Sequence, residues 1–169
     1  MTSEKQKQII NILYIFLILS TVLSFVPIDV AQIMSLLIIL TVLICAYYYK
    51  KQDDVEGLLH NHMTYMINTI WIGGSFLVIG MILAALIVFL KGDHTVVHNA
   101  MEGIMGGQTP TEEMFHALMM EYMSINRDLL VKATIPTVGP AIAYLVYRIA
   151  HGYKRGMNGY RISKPKSWL

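Results

Sequence analysis

IINILYIFLILSTVLSFVPIDVAQIMSLLIILTVLICAYYYKK, Ile9 to Lys51, decides the fold. Two apolar runs stand either side of Pro27, Ile28 and Asp29, and neither run contains a charged residue. Each is long enough to cross a bilayer core of roughly 30 Å at about 1.5 Å per helical residue. The pair therefore reads as a helical hairpin, with spans over 9–26 and 30–49. Pro27 cannot donate a backbone hydrogen bond and ends the first helix, while Asp29 and Gln32 have the spacing of an N-cap and its reciprocal partner. No small-residue cleavage pattern precedes Pro27, so the first run is expected to be a structural span rather than a cleaved signal. Outward along the chain, two more apolar stretches follow at 65–90 and 133–150. With 55% hydrophobic residues, 14% charged residues and mean hydropathy of +0.52 over 169 residues, the expectation is a single all-α membrane domain of four spans.

Charge placement orients it. The segments on one side carry Lys5, Lys7, Lys50, Lys51, Arg148, Lys154, Arg155, Arg161, Lys164 and Lys166; the other side has only Lys91, Arg127 and Lys132. Basic residues are retained in the cytoplasm, which predicts cytoplasmic termini, a cytoplasmic tail at 151–169 and an extracytoplasmic insertion at 91–132. A net charge of +2 gives no reason to expect nucleic acid, and orientation together with anionic lipid accounts for the basic residues. Tyr47, Tyr48 and Tyr49, with Tyr144 and Tyr147, are placed as an interfacial aromatic belt.

The span centres lack acidic and basic residues, which argues against a stand-alone pump, a proton-coupled transporter or an intramembrane hydrolase. No catalytic constellation, phosphate loop or cofactor motif is recognised. Cys45 is the only cysteine, so no intrachain disulfide can form. Gly80 with Ala84, and Gly139 with Ala143, have the separation of close helix contacts. Pro136 and Pro140 are expected to kink the fourth span.

Two passages carry a resemblance: HMTYMINTIWIGG, His62 to Gly74, and YRIAHGYKRGMNGYRISKPKSWL, Tyr147 to Leu169. They resemble a family of bacterial four-helix inner-membrane proteins built on a domain of unknown function. That family is distantly similar to small membrane components of the chloroplast import translocon and to some magnetosome membrane proteins. His62, Thr69, Trp71, Ile72, Gly73, Arg148, Gly152, Pro165, Trp168 and Leu169 match its pattern; Asn68 and Ile70 depart from it. The resemblance implies a compact bundle in the bacterial inner membrane, with the motif residues on its cytoplasmic rim. The tail is then expected to fold back beneath the bundle. Trp168 would sit at the interface, and Arg148, Lys164 or Lys166 would meet lipid phosphate or Asp53, Asp54 and Glu56.

Residues 91–132 are long for a structureless connection, and helices are expected there. His94, His98, Met101, Glu102 and Met105 recur at helical spacing until Gly106 and Gly107. Thr109, Pro110 and Glu112 supply start signals for a second helix running through Met123. Six of the twelve methionines fall between Met101 and Met123. One reading is a transition-metal site, such as copper, formed by His94, His98, Glu113, His116, Met119 and Met120. The leading one is an apolar stripe of Met101, Met105, Phe115, Tyr122 and Met123 against a membrane or another protein. His62, Trp71, Arg148 and Trp168 are the matching partner or lipid contacts on the cytoplasmic rim. His60 and His62, two residues apart, suit capping or polar packing better than metal ligation.

The expected function is thus a noncatalytic accessory or scaffold subunit, with the bilayer and protein partners, in a complex or a homo-oligomer, as its contacts. The alternative is a small transport or protein-translocation component, for which Asn68, Thr69 and Thr137 would line a polar groove. Metal binding through the outer insertion is third.

Overall fold

The computed structural model describes residues 2–168; Met1 and the motif position Leu169 lie outside them. Six helices account for most of the chain: α1 (Ser3–Ser24), α2 (Asp29–Lys50), α3 (Leu58–Lys91), α4 (Thr95–Met105), α5 (Glu112–Ile125) and α6 (Arg127–Met157). No strand occurs among the described residues. α1, α2, α3 and α6 are each long and apolar enough to cross a membrane. Their outward faces confirm the chemistry: Phe16, Leu40, Leu83 and Phe89 are exposed, an arrangement that water would penalise and hydrocarbon favours.

Two compact units form. One comprises the chain up to Ser75 together with the chain from Ile142; the other is Phe76–Ala141. In the first, Ile10, Leu13, Tyr14 and Leu17 recur at helical spacing along α1 and bury one stripe against Val42 and Ala46 of α2, Leu59, Met63 and Met66 of α3, and Ile149 of α6. Ser20 and Ser35 close the α1–α2 hairpin. Each hydroxyl donates to the other residue's carbonyl, at 3.2 and 2.8 Å, so both polar groups are satisfied where no water competes.

Three local expectations are corrected. α2 starts at Asp29 and is preceded by Ile28 without a side-chain cap, so Asp29 serves the helix through its charge in the first turn. α5 starts later than Thr109 and Pro110 suggested: Thr111 is the N-cap and accepts from the Met114 amide, and Glu112 and Glu113 occupy the first turn. Thr111 follows the proline and is itself a capping residue, which places the start two residues on. Among the glycines, a Cβ on Gly80 would strike the Thr137 carbonyl at 2.5 Å, so α3 and α6 approach backbone to backbone there, whereas Gly139 faces open space. α6 continues as one helix through Pro136 and Pro140.

Candidate functional site

In the first unit, the segment after α6 lies along the beginning of α3 and is held there by side chains. Asn61 acts as a surrogate peptide group: its Oδ1 accepts from the Ile162 amide at 2.7 Å and its Nδ2 donates to the Ile162 carbonyl at 2.9 Å. One residue on, His62 is wholly buried. Its Nε2 lies 3.0 Å from the Tyr160 carbonyl, which can only accept, so Nε2 carries the proton and Nδ1 faces the Tyr14 hydroxyl at 3.3 Å as acceptor. Gly152 and Gly156 leave the room that this Tyr14–His62 pair occupies. Two helical turns further, Asn68 Nδ2 donates to the Pro165 carbonyl.

Arg148 completes the clasp. Only 1% of its surface is exposed. Nη1 donates to the Ser167 carbonyl at 2.6 Å and Nε to Thr69 Oγ1 at 3.2 Å, and the guanidinium lies 3.9 Å from the centre of the Tyr65 ring. Tyr65 in turn donates its hydroxyl to the Arg148 carbonyl. The charge is offset by a ring face and by carbonyl and hydroxyl oxygens. This corrects the expectation that Arg148 meets phosphate or the acids of the α2–α3 turn. The tail folds back as expected, but the cation is sealed inside it.

Asp53 has other work. Its Oδ2 accepts from the backbone amides of Leu59 and His60, capping α3, and its Oδ1 accepts from Gln6. A side chain on Gly57 would collide with that carboxylate. His60 Nδ1 donates to the Lys50 carbonyl at 2.9 Å, so His60 and His62 both serve polar packing. Trp71 is exposed and donates its indole N–H to Tyr47 Oη; Trp168 is 60% exposed and is not enclosed by the protein.

In the second unit, Asn126 repeats the device of Asn61. Its Oδ1 accepts from the Asp93 amide at 2.7 Å and its Nδ2 donates to the Asp93 and Tyr122 carbonyls. His94 stacks on Tyr122 and donates through Nε2 to the Phe89 carbonyl. These contacts root the α4–α5 hairpin, whose two helices share a small apolar cleft formed by Ala100, Ile104, Met114 and Leu118. Neither helix has a buried residue. Met101, Met105, Phe115, Met119, Met120 and Met123 are all exposed, while Tyr122 is partly covered by His94.

Of the residues considered as metal ligands, His94 is engaged with Phe89 and Tyr122, while His98, Glu113 and His116 are exposed. No group of three or more His, Cys, Asp or Glu side chains is gathered among the described residues. The polar residues considered for a transport groove are individually committed: Asn68 to Pro165, Thr69 to Arg148 and the Tyr65 carbonyl, Thr137 to the Ala133 carbonyl.

Sequence reasoning missed Asn61, Tyr14, Tyr65 and Asn126. Their signal was available: a polar side chain beside a membrane-spanning apolar run has to find a partner. Compared with protein-family models, with curated proteins and with solved structures, the chain matches none.

Proposed function

We propose that this protein is a noncatalytic membrane subunit: a four-helix anchor in the bacterial inner membrane, with cytoplasmic termini, that presents the α4–α5 hairpin to a partner protein. The observation that carries this reading is the hairpin itself. Its root is fixed by Asn126 and His94, yet neither helix has a fully buried residue and together they turn Met101, Met105, Phe115, Met119, Met120 and Met123 outward. Methionine suits such a face, because an unbranched, polarisable side chain adapts to an irregular partner surface. Tyr14, His62 and Arg148, the polar groups with most chemical potential, are closed into the tail clasp, which favours recognition over bond chemistry.

Isolation from native membranes under mild detergent tests it. The wild-type chain should bring partner subunits with it. The combined variant Phe115→Ser, Met119→Gln, Met120→Gln, Met123→Gln should lose them while still inserting and unfolding at the same temperature. A wild-type chain that purifies alone, or a variant that keeps its partners, refutes the scaffold role. Orientation has its own test. In a Cys45→Ala background, Gln108→Cys should react with an impermeant maleimide on intact spheroplasts, and Lys154→Cys only after lysis. The reverse pattern would invert the topology.

A further inference from the structure

A hollow of about 700 Å³ lies between the first turns of α3 and the docked tail, bordered by Asn61, Thr64, Arg161, Lys164 and Lys166, with His60 at its side. Three of these residues are cationic, and among the described residues no carboxylate side chain lines the hollow. Asp53 is not part of the lining; its oxygens accept from Gln6 and from the Leu59 and His60 amides.

The backbone that carries the cations is fixed at successive points. Arg155 donates through Nε and Nη2 to the Arg161 carbonyl, Asn61 grips Ile162 on both sides, Asn68 holds Pro165 and Arg148 holds Ser167. Three positive side chains on an immobilised segment make a preorganised positive cradle, because little backbone entropy remains to be lost on binding.

Thr64 supplies an independent sign. Thr21, Thr41, Thr69 and Thr137 each return their hydroxyl to the carbonyl four residues earlier, the usual resolution inside a helix. Thr64 does not. It is 3% exposed, lines the hollow, and its Oγ1 has no hydrogen-bond partner. A buried hydroxyl left unpaired is costly unless something occupies the space beside it.

We propose that this hollow is a phosphate-binding site, with Arg161, Lys164 and Lys166 supplying the charge and Thr64 donating its hydroxyl to a phosphate oxygen. Phosphate is the group that the headgroup of an anionic phospholipid shares with a free phosphate ion. The site is separate from the methionine face and stands whether or not that face binds a partner.

The full-length protein, purified in neutral detergent, is titrated with phosphatidylglycerol, with diacylglycerol of the same chains, and with inorganic phosphate at matched ionic strength. Bound ligand is counted by native mass spectrometry and stability is followed by thermal unfolding. Phosphatidylglycerol should bind saturably where diacylglycerol does not. Lys164→Gln with Lys166→Gln should weaken binding roughly thirty-fold. Thr64→Val should weaken it roughly ten-fold without lowering the unfolding temperature of the unliganded protein. Saturation by inorganic phosphate, with the same dependence on both variants, would support the site and assign the free ion as its source. Equal binding of diacylglycerol, or binding that neither variant weakens, overturns the proposal; the lysine pair keeps it falsifiable if Thr64→Val disturbs folding.

Discussion

Asn61 and Asn126 do the same thing with different results. Each uses its side-chain amide as a peptide group, accepting from one backbone amide and donating to that residue's carbonyl: Ile162 for Asn61, Asp93 for Asn126. Around Asn61 the clasp is multiplied by His62, Asn68 and Arg148 until the tail is fixed along α3. Around Asn126 it is joined by His94 and Tyr122, and neither helix of the hairpin beyond has a fully buried residue. One amide bridge is enough to root a segment. Burying its surface requires the further contacts that only the tail receives.

The largest effect that could break this contrast is at Arg148. Arg148→Leu removes the bonds to Ser167 and Thr69 and the ring contact with Tyr65, and should cost about 3 kcal/mol in detergent unfolding experiments. Trypsin should then cut sooner at Arg161 and Lys166. An unchanged or raised unfolding temperature would mean that the buried cation is a burden the clasp merely tolerates.

The asparagines come next. Asn61→Leu strands the amide and carbonyl of Ile162 in a buried place and should cost about 2 kcal/mol, whereas Asn126→Leu frees the backbone of the exposed Asp93 and should cost about 1 kcal/mol. Hydrogen exchange localises the two losses: the first should release the tail and the second the start of α4. Equal losses, or exchange spreading from one unit into the other, would erase the distinction.

The smallest effect belongs to Asp93. The Thr95 hydroxyl, then the Thr95 amide, donate to its Oδ1 at 2.6 and 2.9 Å and hold its carboxyl below the ordinary range. Its contribution is present above the unfolded carboxyl's pKa and is lost as pH falls through the folded value. Exchange of the Thr95 amide, corrected for its intrinsic rate, should therefore lose protection under acid conditions while the Ile162 amide keeps its own. Loss of both together would show that the acid response lies elsewhere.

The spans were legible because hydrocarbon imposes a length and a composition that a sequence shows directly. The end of α4 at Gly106 was legible too, since two successive glycines interrupt a helical pattern. Helix starts were read less well: Thr109 and Thr111 are both capping residues, and only the folded backbone chooses between them. The clasp left almost no local trace. Asn61 and Ile162 are 101 residues apart, and nothing in the spacing around either names the other. Arg148 was misplaced because a cation near the end of an apolar run ordinarily reaches for water. Here Thr69, Tyr65 and the returning tail reach it first.

That same 101-residue separation sets a timetable for synthesis. A ribosome adding 5–20 residues per second produces Asn61 roughly 5 to 20 seconds before Ile162 exists. During that interval α3 can enter the membrane, but Asn61, His62 and Asn68 have no tail to bind, so headgroups and water must solvate its first turns. The clasp is then a late tertiary contact for this part of the chain. A nascent protein halted within α6 would present an open, hydrated α3, a state that membrane quality control could distinguish from the finished fold.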